Sequence, residues 1–402
     1  MRILFLTDNF PPEVNAPATR TYEHCYKWVE LGYHVTVITC FPNFPDGKVF
    51  EGYKNKIYNK EYVSGIEVIR VWSYITENKG FFSRIIDYIS YSFTSFIAGF
   101  FVKTDIIIAT SPQFFTAISG RLMSFFKQKP WIMEVRDLWP DSIVAVGSMK
   151  YNSISYRFLK VVENHLYRSA KKIIVVTDSF KKYLIENQKI NSDKIGVFKN
   201  GIHLKNLSNT NIKKSNLIKQ KIGLNNKTVI SYIGTHGMAH GLKFILDSIQ
   251  YIENSKLHFL FIGNGAEKNN LKKHSEKLKI KNFTFLDSVP KENVYDFIQL
   301  SSFALINLIK SDEFKNVIPS KIFENIALHK PILLGVEGES KNLIDEYNVG
   351  ISFIPENRDS FLEAVGKIQN IDLNKFKINA DKMIVHFDRE KIATDMIEFI
   401  ID

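Results

Sequence analysis

Short runs of apolar residues alternate with amphipathic stretches along almost the whole chain. In the first half, the apolar runs predict seven strands, at 2–7, 34–40, 66–72, 105–110, 131–136, 172–177 and 194–198. Polar positions recur at helical spacing between most of them, which predicts helices that include 17–31, 114–127, 154–169 and 178–187. Alternating strands and helices are typical of parallel sheets with helices on both faces.

The alternation pauses at residues 203–226, which are rich in Asn, Lys and Ser and only weakly periodic. It then resumes with strands near 228–233, 257–262, 282–286, 302–307, 331–335 and 350–354, and with helices near 241–251, 265–278, 291–299, 319–328, 340–347 and 358–370. Since single cores stop growing near about 250–300 residues, the 402-residue chain is expected to form two domains.

We therefore predict an α/β protein with two Rossmann-like, doubly wound domains and a cleft between them. The predicted parts are an N-terminal domain at 1–202, a linker region at 203–226, a C-terminal domain at 227–373 and closing helices at 374–402. The closing helices are expected to pack back toward the N-terminal domain. Ligands bind beyond the carboxyl ends of the strands in such folds, so the loops there are where chemistry is expected.

The segment 81–102 has polar residues at helical spacing and a wide apolar, aromatic face. Arg84 and Asp87 argue against a helix that spans a membrane. Two interpretations remain open. The segment is either a helix packed on the sheet, or a helix whose aromatic face also enters a membrane interface.

The chain carries a net charge of +11, most of it in the first 200 residues. This favours an anionic partner such as a phosphate, a nucleic acid or a membrane surface, although a solvated basic face gives the same pattern. The lysines lack the interleaved aromatic residues of a nucleic-acid groove, so we expect no nucleic acid as a partner.

Cys25 and Cys40 show no metal-ligand spacing and are expected to be buried free thiols. The first strand lacks the pattern of a signal peptide, which favours a cytoplasmic protein.

A glycine-rich turn joins the strand at 228–233 to the following helix. Its candidate phosphate-binding residues are Gly234, Thr235, His236, Gly237, His240 and Gly241. Glycines let backbone N–H groups approach a ligand, and a helix N-terminus favours an anion. Between residues 194 and 246 there are nine lysines and no acidic residue, which adds positive potential. The alternative is a tight turn with surface histidines.

Two further turns resemble this one in position. Gly263-Asn264-Gly265 also lies between a strand and a helix, although glycine serves many turns for geometry alone. Pro319 and Ser320 are ordinary residues for a helix start, yet with Lys321 they also offer amides, a hydroxyl and a cation to a phosphate. Glu324 lies one turn further and suits a pair of ribose hydroxyls. Plain helix capping is the alternative.

Arg136 and Asp137 follow a strand at the position expected for a cleft residue, although a structural ion pair is equally consistent. The sequence contains no Asp-x-Asp pair and no zinc-ligand spacing. We therefore expect no metal site.

Taken together, these motifs resemble the retaining glycosyltransferases of family 4, which have the GT-B fold. The loop that begins at Asp8-Asn9-Phe10-Pro11-Pro12, the Arg136–Pro140 segment and the 235–241 turn are similar to WbuB-type amino-sugar transferases of bacterial O-antigen and capsule assembly; Ser111-Pro112 is similar too. The resemblance implies a UDP-activated amino sugar, such as N-acetyl-L-fucosamine or a related N-acetylhexosamine, as donor. It implies an undecaprenyl-diphosphate-linked saccharide as acceptor, retention at the anomeric carbon, and no cofactor.

The resemblance also assigns residues. Glu324 matches the second glutamate of the family's E-x7-E motif, which holds the ribose, whereas Asn316 replaces the first; Asp312 or Glu313 is the candidate substitute. Val289 and Pro290 match positions that read the base through the backbone. In the family, a pair of basic residues binds the diphosphate. Thr235, His236 and His240 stand near those positions in this chain, and Lys321 is the candidate that supplies the missing positive charge.

We accordingly expect Asp137, His236, Lys321 and Glu313 to act in catalysis. The residues expected to contact the acceptor are Asn15, Arg20 and Arg136. A lipid-linked acceptor implies a peripheral protein on the cytoplasmic face of the inner membrane. Two other functions remain open, a UDP-GlcNAc 2-epimerase of the same fold and a non-catalytic scaffold or binding protein.

Overall fold

The computed structural model describes residues 1–76, 81–111, 115–145, 149–202, 204 and 211–402. This part of the chain divides into two compact units. Unit 1 comprises Met1–Asn200 together with Arg389–Asp402, and unit 2 comprises Gly201–Asp388.

Unit 1 is built on an eight-stranded sheet. Its strands are β1 (Arg2–Leu6), β2 (His34–Cys40), β3 (Tyr58–Val63), β4 (Ile66–Val71), β5 (Ile106–Thr110), β6 (Trp131–Val135), β7 (Lys172–Val175) and β8 (Ile195–Val197). They lie in the order β3-β4-β2-β1-β5-β6-β7-β8 and are parallel except for β3, which pairs antiparallel with β4. The strand order changes direction between β1 and β5, which makes the carboxyl end of β1 a position where doubly wound sheets bind ligands.

Helices cover both faces of this sheet. They are α1 (Ala16–Glu30), α2 (Phe81–Phe100), α3 (Phe115–Lys127), α4 (Asp141–Ala145), α5 (Ile154–Ser169) and α6 (Asp178–Glu186). Leu4 of β1 belongs to the core beneath α2, α3 and α5, whereas the next residue, Phe5, belongs to the core beneath α1. Both faces are therefore apolar, which explains the continuous apolar runs. Cys25 and Cys40 are buried free thiols, as predicted.

Unit 2 has a six-stranded, fully parallel sheet. Its strands are β9 (Thr228–Ile233), β10 (Leu257–Ile262), β11 (Phe283–Leu286), β12 (Phe303–Asn307), β13 (Ile332–Gly335) and β14 (Gly350–Ser352), in the order β11-β10-β9-β12-β13-β14. Its helices are α7 (Ile212–Lys221), α8 (Leu242–Ile249), α9 (Lys268–Leu278), α10 (Lys291–Leu300), α11 (Lys321–Ala327), α12 (Glu339–Tyr347), α13 (Arg358–Ile368) and α14 (Leu373–His386). Here the order changes direction between β9 and β12.

The last helix, α15 (Arg389–Ile401), belongs to unit 1. The indole of Trp28 in α1 donates to the Ala393 carbonyl at 2.8 Å. We expected both closing helices to pack back on the N-terminal domain, and for α14 this is wrong. Phe376, Ala380 and Met383 of α14 are buried in a core of unit 2, so that helix stays there.

The predicted α/β class with two doubly wound units is confirmed, and so are the predicted strands. Strand β3 was missed because its side chains alternate only between exposed and half-buried, so it has no apolar run. The region expected to be a linker contains α7, whose cap is the Asn211 side chain and whose Ser215 is buried.

The segment 81–102 forms α2 and packs on the sheet. The Tyr91 hydroxyl donates to the Thr7 carbonyl at 2.7 Å, and Ser95 is buried. The opposite face stays exposed, with Phe93 65% and Phe101, just beyond the helix, 81% accessible. In the described part of the chain, no helix combines the length and the hydropathy needed to span a bilayer.

Candidate functional site

The turn after β9 brings a lysine amine against a glycine backbone. Gly234 has φ +151°, and its N–H donates to the Ile262 carbonyl at 2.8 Å. A Cβ atom added at Gly234 would lie 1.9 Å from the Nζ atom of Lys321. A side chain at position 234 would displace this amine, so the close approach predicted at this glycine is made by the protein's own cation.

The turn after β10 interlocks with the first one. A Cβ atom at Gly263 would lie 1.8 Å from the Gly234 carbonyl oxygen, and one at Gly265 would lie 2.5 Å from that of His236. The His236 N–H donates to the Asn264 carbonyl at 2.9 Å. The glycines at 263 and 265 are therefore required for the contact between the two turns, in addition to any part in binding.

The first turn continues into α8 through a short 3-10 helix. Gly241 has φ +56° and caps α8, and the Asn307 amide donates to the His240 carbonyl at 2.9 Å. This fixes the free N–H groups at the start of α8. Gly237 is less constrained, because a Cβ atom there would meet nothing closer than 3.7 Å.

Lys321 begins α11, and its Nζ atom lies 4.6 Å from the centroid of the Tyr232 ring. Burial lowers the pKa of this amine to about 8, while the charge of Glu324 opposes the shift. An amine with a lowered pKa next to backbone turns is stabilised in its charged form by an anion. The geometry therefore suits a phosphate or diphosphate.

His236 and His240 flank Tyr232, with ring centroids 5.9 and 5.8 Å from its own. Burial, aided by the charge of Lys321, lowers the pKa of each imidazole to about 4. Both imidazoles are uncharged at neutral pH, so they offer a ligand hydrogen-bonding groups and no positive charge. His236 is fully buried, and its ring nitrogens make no hydrogen bond of normal geometry with any described residue.

Five further residues named for the donor site lie in α11 or in the segment just before it. Ser320 is the cap residue of α11, and Glu324 lies in the helix's first turn. Asn316 ends a short 3-10 helix, Glu313–Asn316, and the Glu313 side chain lies outside the described part. Asp312 is exposed and ion-paired with Lys315 at 2.6 Å.

The residues predicted to read a base lie near the end of β11. Pro290 is the residue before α10, and Val289 packs against a small core of unit 2. The turn that contains Gly263 contacts the end of β11, because the Gly263 N–H donates to the Leu286 carbonyl. Across the described ranges, no group of three or more His, Cys, Asp or Glu side chains could hold a metal ion.

In unit 1, Arg20 is 1% exposed and pairs with Glu134 at 3.0 Å. Its guanidinium also donates to the Phe198 carbonyl at 2.9 Å and the Lys199 carbonyl at 3.1 Å. The expectation that Arg20 contacts an acceptor is therefore wrong, because its donors are used inside the fold. It joins α1 to β6 and to the end of β8.

Arg136 and Asp137 follow β6 and are half-buried. Burial lowers the pKa of Arg136 to about 10, and the nearby Glu134 carboxylate opposes this. Burial raises the pKa of the Asp137 carboxyl. Asn15 caps α1, since its side chain accepts from the Ala18 N–H at 2.8 Å, and its amide donates to Asn9 at 2.6 Å.

Sequence reasoning missed three supporting residues of unit 2. Tyr232 lay in an apolar run, and Asn307 lay at a strand end without a motif. Lys268 is buried, and its amine donates to the Gly263 carbonyl at 2.6 Å and to Asp287 at 2.6 Å. A lysine at a helix start is ordinarily exposed, so no pattern in the sequence identified it.

Comparison with known proteins gives matches over both halves. Residues 18–206 match the family "Glycosyltransferase Family 4", and residues 214–383 match "Glycosyl transferases group 1". "Probable glycosyltransferase WbjE" of Pseudomonas aeruginosa is 25% identical over 286 residues, which is 68% of each chain. "Putative colanic acid biosynthesis glycosyl transferase WcaI" of Escherichia coli (strain K12) is 22% identical over 335 residues, 82% of this chain and 81% of its own.

Among solved structures, the chain is similar to HepE of Anabaena in complex with UDP. The TM-score is 0.70, with 13% identity over 100% of this chain and 99% of that one. At this identity the likeness concerns the fold.

Proposed function

We propose that this chain, which belongs to the GT-B glycosyltransferases of family 4 and group 1, transfers a sugar from UDP to a lipid-linked saccharide. The observation that carries the proposal is the Lys321 amine, held against the interlocked turns at Gly234 and Gly263. The finer proposal is that the sugar is an N-acetylhexosamine, that the acceptor is carried on undecaprenyl diphosphate, and that the anomeric configuration is retained.

The proposed donor site lies at the carboxyl ends of β9, β10 and β12. The N–H groups at the start of α8 suit a diphosphate, and Lys321, at the start of α11, supplies the charge. The Glu324 carboxylate, one turn into α11, suits the ribose hydroxyls. The likeness to a GT-B protein solved with UDP supports uridine diphosphate as the carrier.

The proposed chemistry is departure of UDP from the sugar. Negative charge grows on the diphosphate as the bond breaks, and fixed donors aimed at that charge stabilise the transition state. Lys321 and the N–H groups at the start of α8 provide this stabilisation, and His236 and His240 add neutral donors. Asp137 is the proposed carboxylate for positive character on the sugar ring, and the proton of the acceptor hydroxyl passes to the leaving phosphate.

A membrane-bound acceptor is supported by α2. Its exposed face carries Ile86, Ile89, Phe93 and Ile97, and Phe125 and Phe126 of the adjoining α3 are 57% and 58% exposed. A large exposed apolar patch marks a protein or membrane interaction site, and the excess of basic residues in this half favours anionic lipid. We propose peripheral attachment at the cytoplasmic face of the inner membrane, in bacterial surface-polysaccharide assembly, as the description of WcaI suggests.

The test is a matrix of UDP-sugars against short-chain polyprenyl-diphosphate sugars, with product detected by mass. We expect transfer from a UDP-N-acetylhexosamine, and loss of that transfer together with at least tenfold weaker UDP binding in Lys321→Met and Glu324→Ala. Lys367→Met, an exposed lysine paired with Glu363 in α13, is the matched control and should bind UDP like the native chain. Unchanged UDP affinity in both site variants contradicts the donor site, and UDP-sugar conversion without any acceptor indicates an epimerase.

A further inference from the structure

Unit 1 contains an open cavity of about 830 Å³ that has no part in the proposed donor site. It lies between the second half of α2 and the edge of the sheet formed by β3 and β4, and it extends to the amino ends of β1 and β2. We call it the edge groove. Ligands of doubly wound sheets bind beyond the opposite, carboxyl ends of the strands, and the loop after β1 contributes no lining residue. The edge groove is therefore distinct from the position where substrates are expected.

The surface of the edge groove is mainly apolar. It includes Ile69 and Val71 of β4, alternate residues that point to the same face of the sheet. Helix α2 contributes Ile97 and Ala98, and Ile57, just before β3, is 84% exposed and so lies at the mouth. Binding of a hydrocarbon chain against this surface is favourable because it removes apolar area from water.

Basic side chains outnumber acidic ones along the edge groove. The basic lining residues are Arg2, His34, Lys60 and Lys103. The lining carboxylate, Glu67, pairs with Lys60 at 2.7 Å. Arg2 pairs with Asp105, also at 2.7 Å. Lys103, three residues after α2, is exposed, and no carboxylate in the described part of the chain is ion-paired with it. An anionic group at the groove therefore meets a cation whose charge is not already matched.

The edge groove is continuous with the exposed apolar face of α2. Ile97 and Phe101 line the groove, and both are also exposed on the side of the helix that carries Phe93. A hydrocarbon chain that contacts Phe93 thus reaches the groove one turn further along. This arrangement fits a ligand supplied from a bilayer better than a soluble metabolite, because the surface that leads to the groove is apolar.

Size and charge together narrow the class of ligand. The volume lies within the ~300–1,000 Å³ of small-molecule sites, which is the scale of one ligand molecule. A lipid with a zwitterionic head leaves Lys103 without a net counter-charge, whereas an anionic phosphate supplies one. These two features favour a single amphiphile with an anionic head.

We propose that the edge groove binds one acyl chain of an anionic phospholipid, with the chain against Ile69 and Ile97 and the phosphate at Lys103. The proposal goes beyond the proposed function, because this lipid is neither donor nor acceptor and takes no part in the transfer. It also differs from attachment through the outward face of α2. That face contacts the bilayer as a whole, whereas the edge groove takes up a single chain.

The test is calorimetric titration of the full-length chain with lysophosphatidylglycerol below its micelle concentration, so that no bilayer is present. Chains of 10, 12 and 14 carbons are compared, and glycerol phosphate represents the head alone. We expect affinity to rise at least tenfold from about 10 to about 14 carbons, because each buried CH₂ group adds to binding. Glycerol phosphate should not bind, and lysophosphatidylcholine of equal chain length should bind at least fivefold more weakly.

Two variants test the head and the chain separately. Lys103→Glu should weaken the anionic lipid at least tenfold and leave the zwitterionic one unchanged, whereas Ile57→Ser should weaken both at least threefold. The matched controls are Lys171→Glu, exposed just before β7, and Ile154→Ser, 88% exposed in α5; neither residue lines the groove. Phe93→Glu changes only the outward face of α2 and should bind like the native chain.

UDP affinity is measured on every variant and should not change, so a failed donor site is seen separately from a failed groove. Absence of lipid binding by the native chain overturns the proposal, and so does affinity that is independent of chain length. Equal affinity for the two head groups overturns the anionic assignment. A loss in Phe93→Glu as large as that in Ile57→Ser places the lipid on the outward face and overturns the groove.

Discussion

The amine of Lys321 lies over the ring of Tyr232, and the Tyr232 hydroxyl donates to the Thr235 carbonyl at 2.6 Å. One aromatic side chain thus supports both the turn after β9 and the cation that faces it. Because the ring is buried, it also removes water from the amine, which is the cause of the lowered pKa. Among the residues that the structure describes, no carboxylate is ion-paired with this amine, although the charge of Glu324 acts on it, so an incoming anion meets little competition.

The first prediction concerns the pH dependence of UDP binding. The Lys321 amine has a pKa of about 8, and binding of a diphosphate favours its charged form. Affinity should be full below pH 8 and fall as the pH rises through 8 toward the higher pKa of the complex. Calorimetry from pH 6.5 to 9.5 checks this. In Lys321→Met the fall above pH 8 should be absent, and a parallel fall in both proteins contradicts the assignment.

The second prediction concerns the interlocked turns. Gly263→Ala places a methyl group 1.8 Å from the Gly234 carbonyl oxygen at a φ of +148°, so the two turns must separate. The backbone strain alone costs about 1–3 kcal/mol, and UDP affinity should fall with it. Gly366 lies in α13 with open space around it, so Gly366→Ala should instead raise the free energy of unfolding by about 0.5–1 kcal/mol. Urea unfolding of both variants measures the difference, and equal behaviour would refute the role of the contact.

The third prediction separates folding from binding at Arg20. Arg20→Met leaves the Glu134 carboxylate buried without its partner, which typically costs about 3–5 kcal/mol of unfolding free energy. Arg2→Met removes an exposed pair with Asp105 and should lower the free energy of unfolding far less than Arg20→Met, because solvent screens that pair. Denaturation midpoints test this ranking. An Arg20→Met variant that is fully stable but no longer binds the acceptor would support the prediction that Arg20 contacts the acceptor.

The fourth prediction concerns the exposed face of α2. Phe93→Glu and Phe101→Glu should abolish sedimentation with vesicles containing anionic lipid, because each places a charge where an apolar side chain meets the interface. Their melting temperatures should stay unchanged, since both side chains are mostly exposed. Phe96 is a poorer choice, as it packs on the core and against Phe126. Ile378→Glu, 58% exposed in α14, is the control, and retained vesicle binding by both variants removes the support for membrane attachment.

The alternation of apolar runs was sufficient to predict the fold, because both faces of each sheet are covered and most strands consist mainly of apolar residues. The GT-B fold expected from the motifs is confirmed by the likeness to solved structures. Strand β3 escaped prediction because it lies at the edge of its sheet. Its register comes from pairing with β4 and not from burial of its own side chains.

The candidate site was only partly predictable. Glycine at 234 and 263 indicated close approach, but the sequence could not show that the approaching atoms belong to Lys321 and to the neighbouring turn. The histidines were predicted to bind phosphate, but the sequence could not show that burial near Tyr232 and Lys321 lowers their pKa values and leaves them neutral. Such effects depend on contacts between residues far apart in the chain, which no local pattern records.

The polypeptide passes from unit 1 to unit 2 after Asn200 and returns after Asp388. The two passages lie side by side, since Ile202 bridges to Asp388 and its N–H donates to the Phe387 carbonyl at 2.9 Å. A protease that cuts after Asn200 leaves unit 2 joined covalently only to α15, so residues 1–200 stay with the rest of the chain only through the packing of α15 in unit 1. Removal of the tail beyond residue 388 has a different result, because it exposes the side of α1 around Trp28 and deprives unit 1 of part of its own interior.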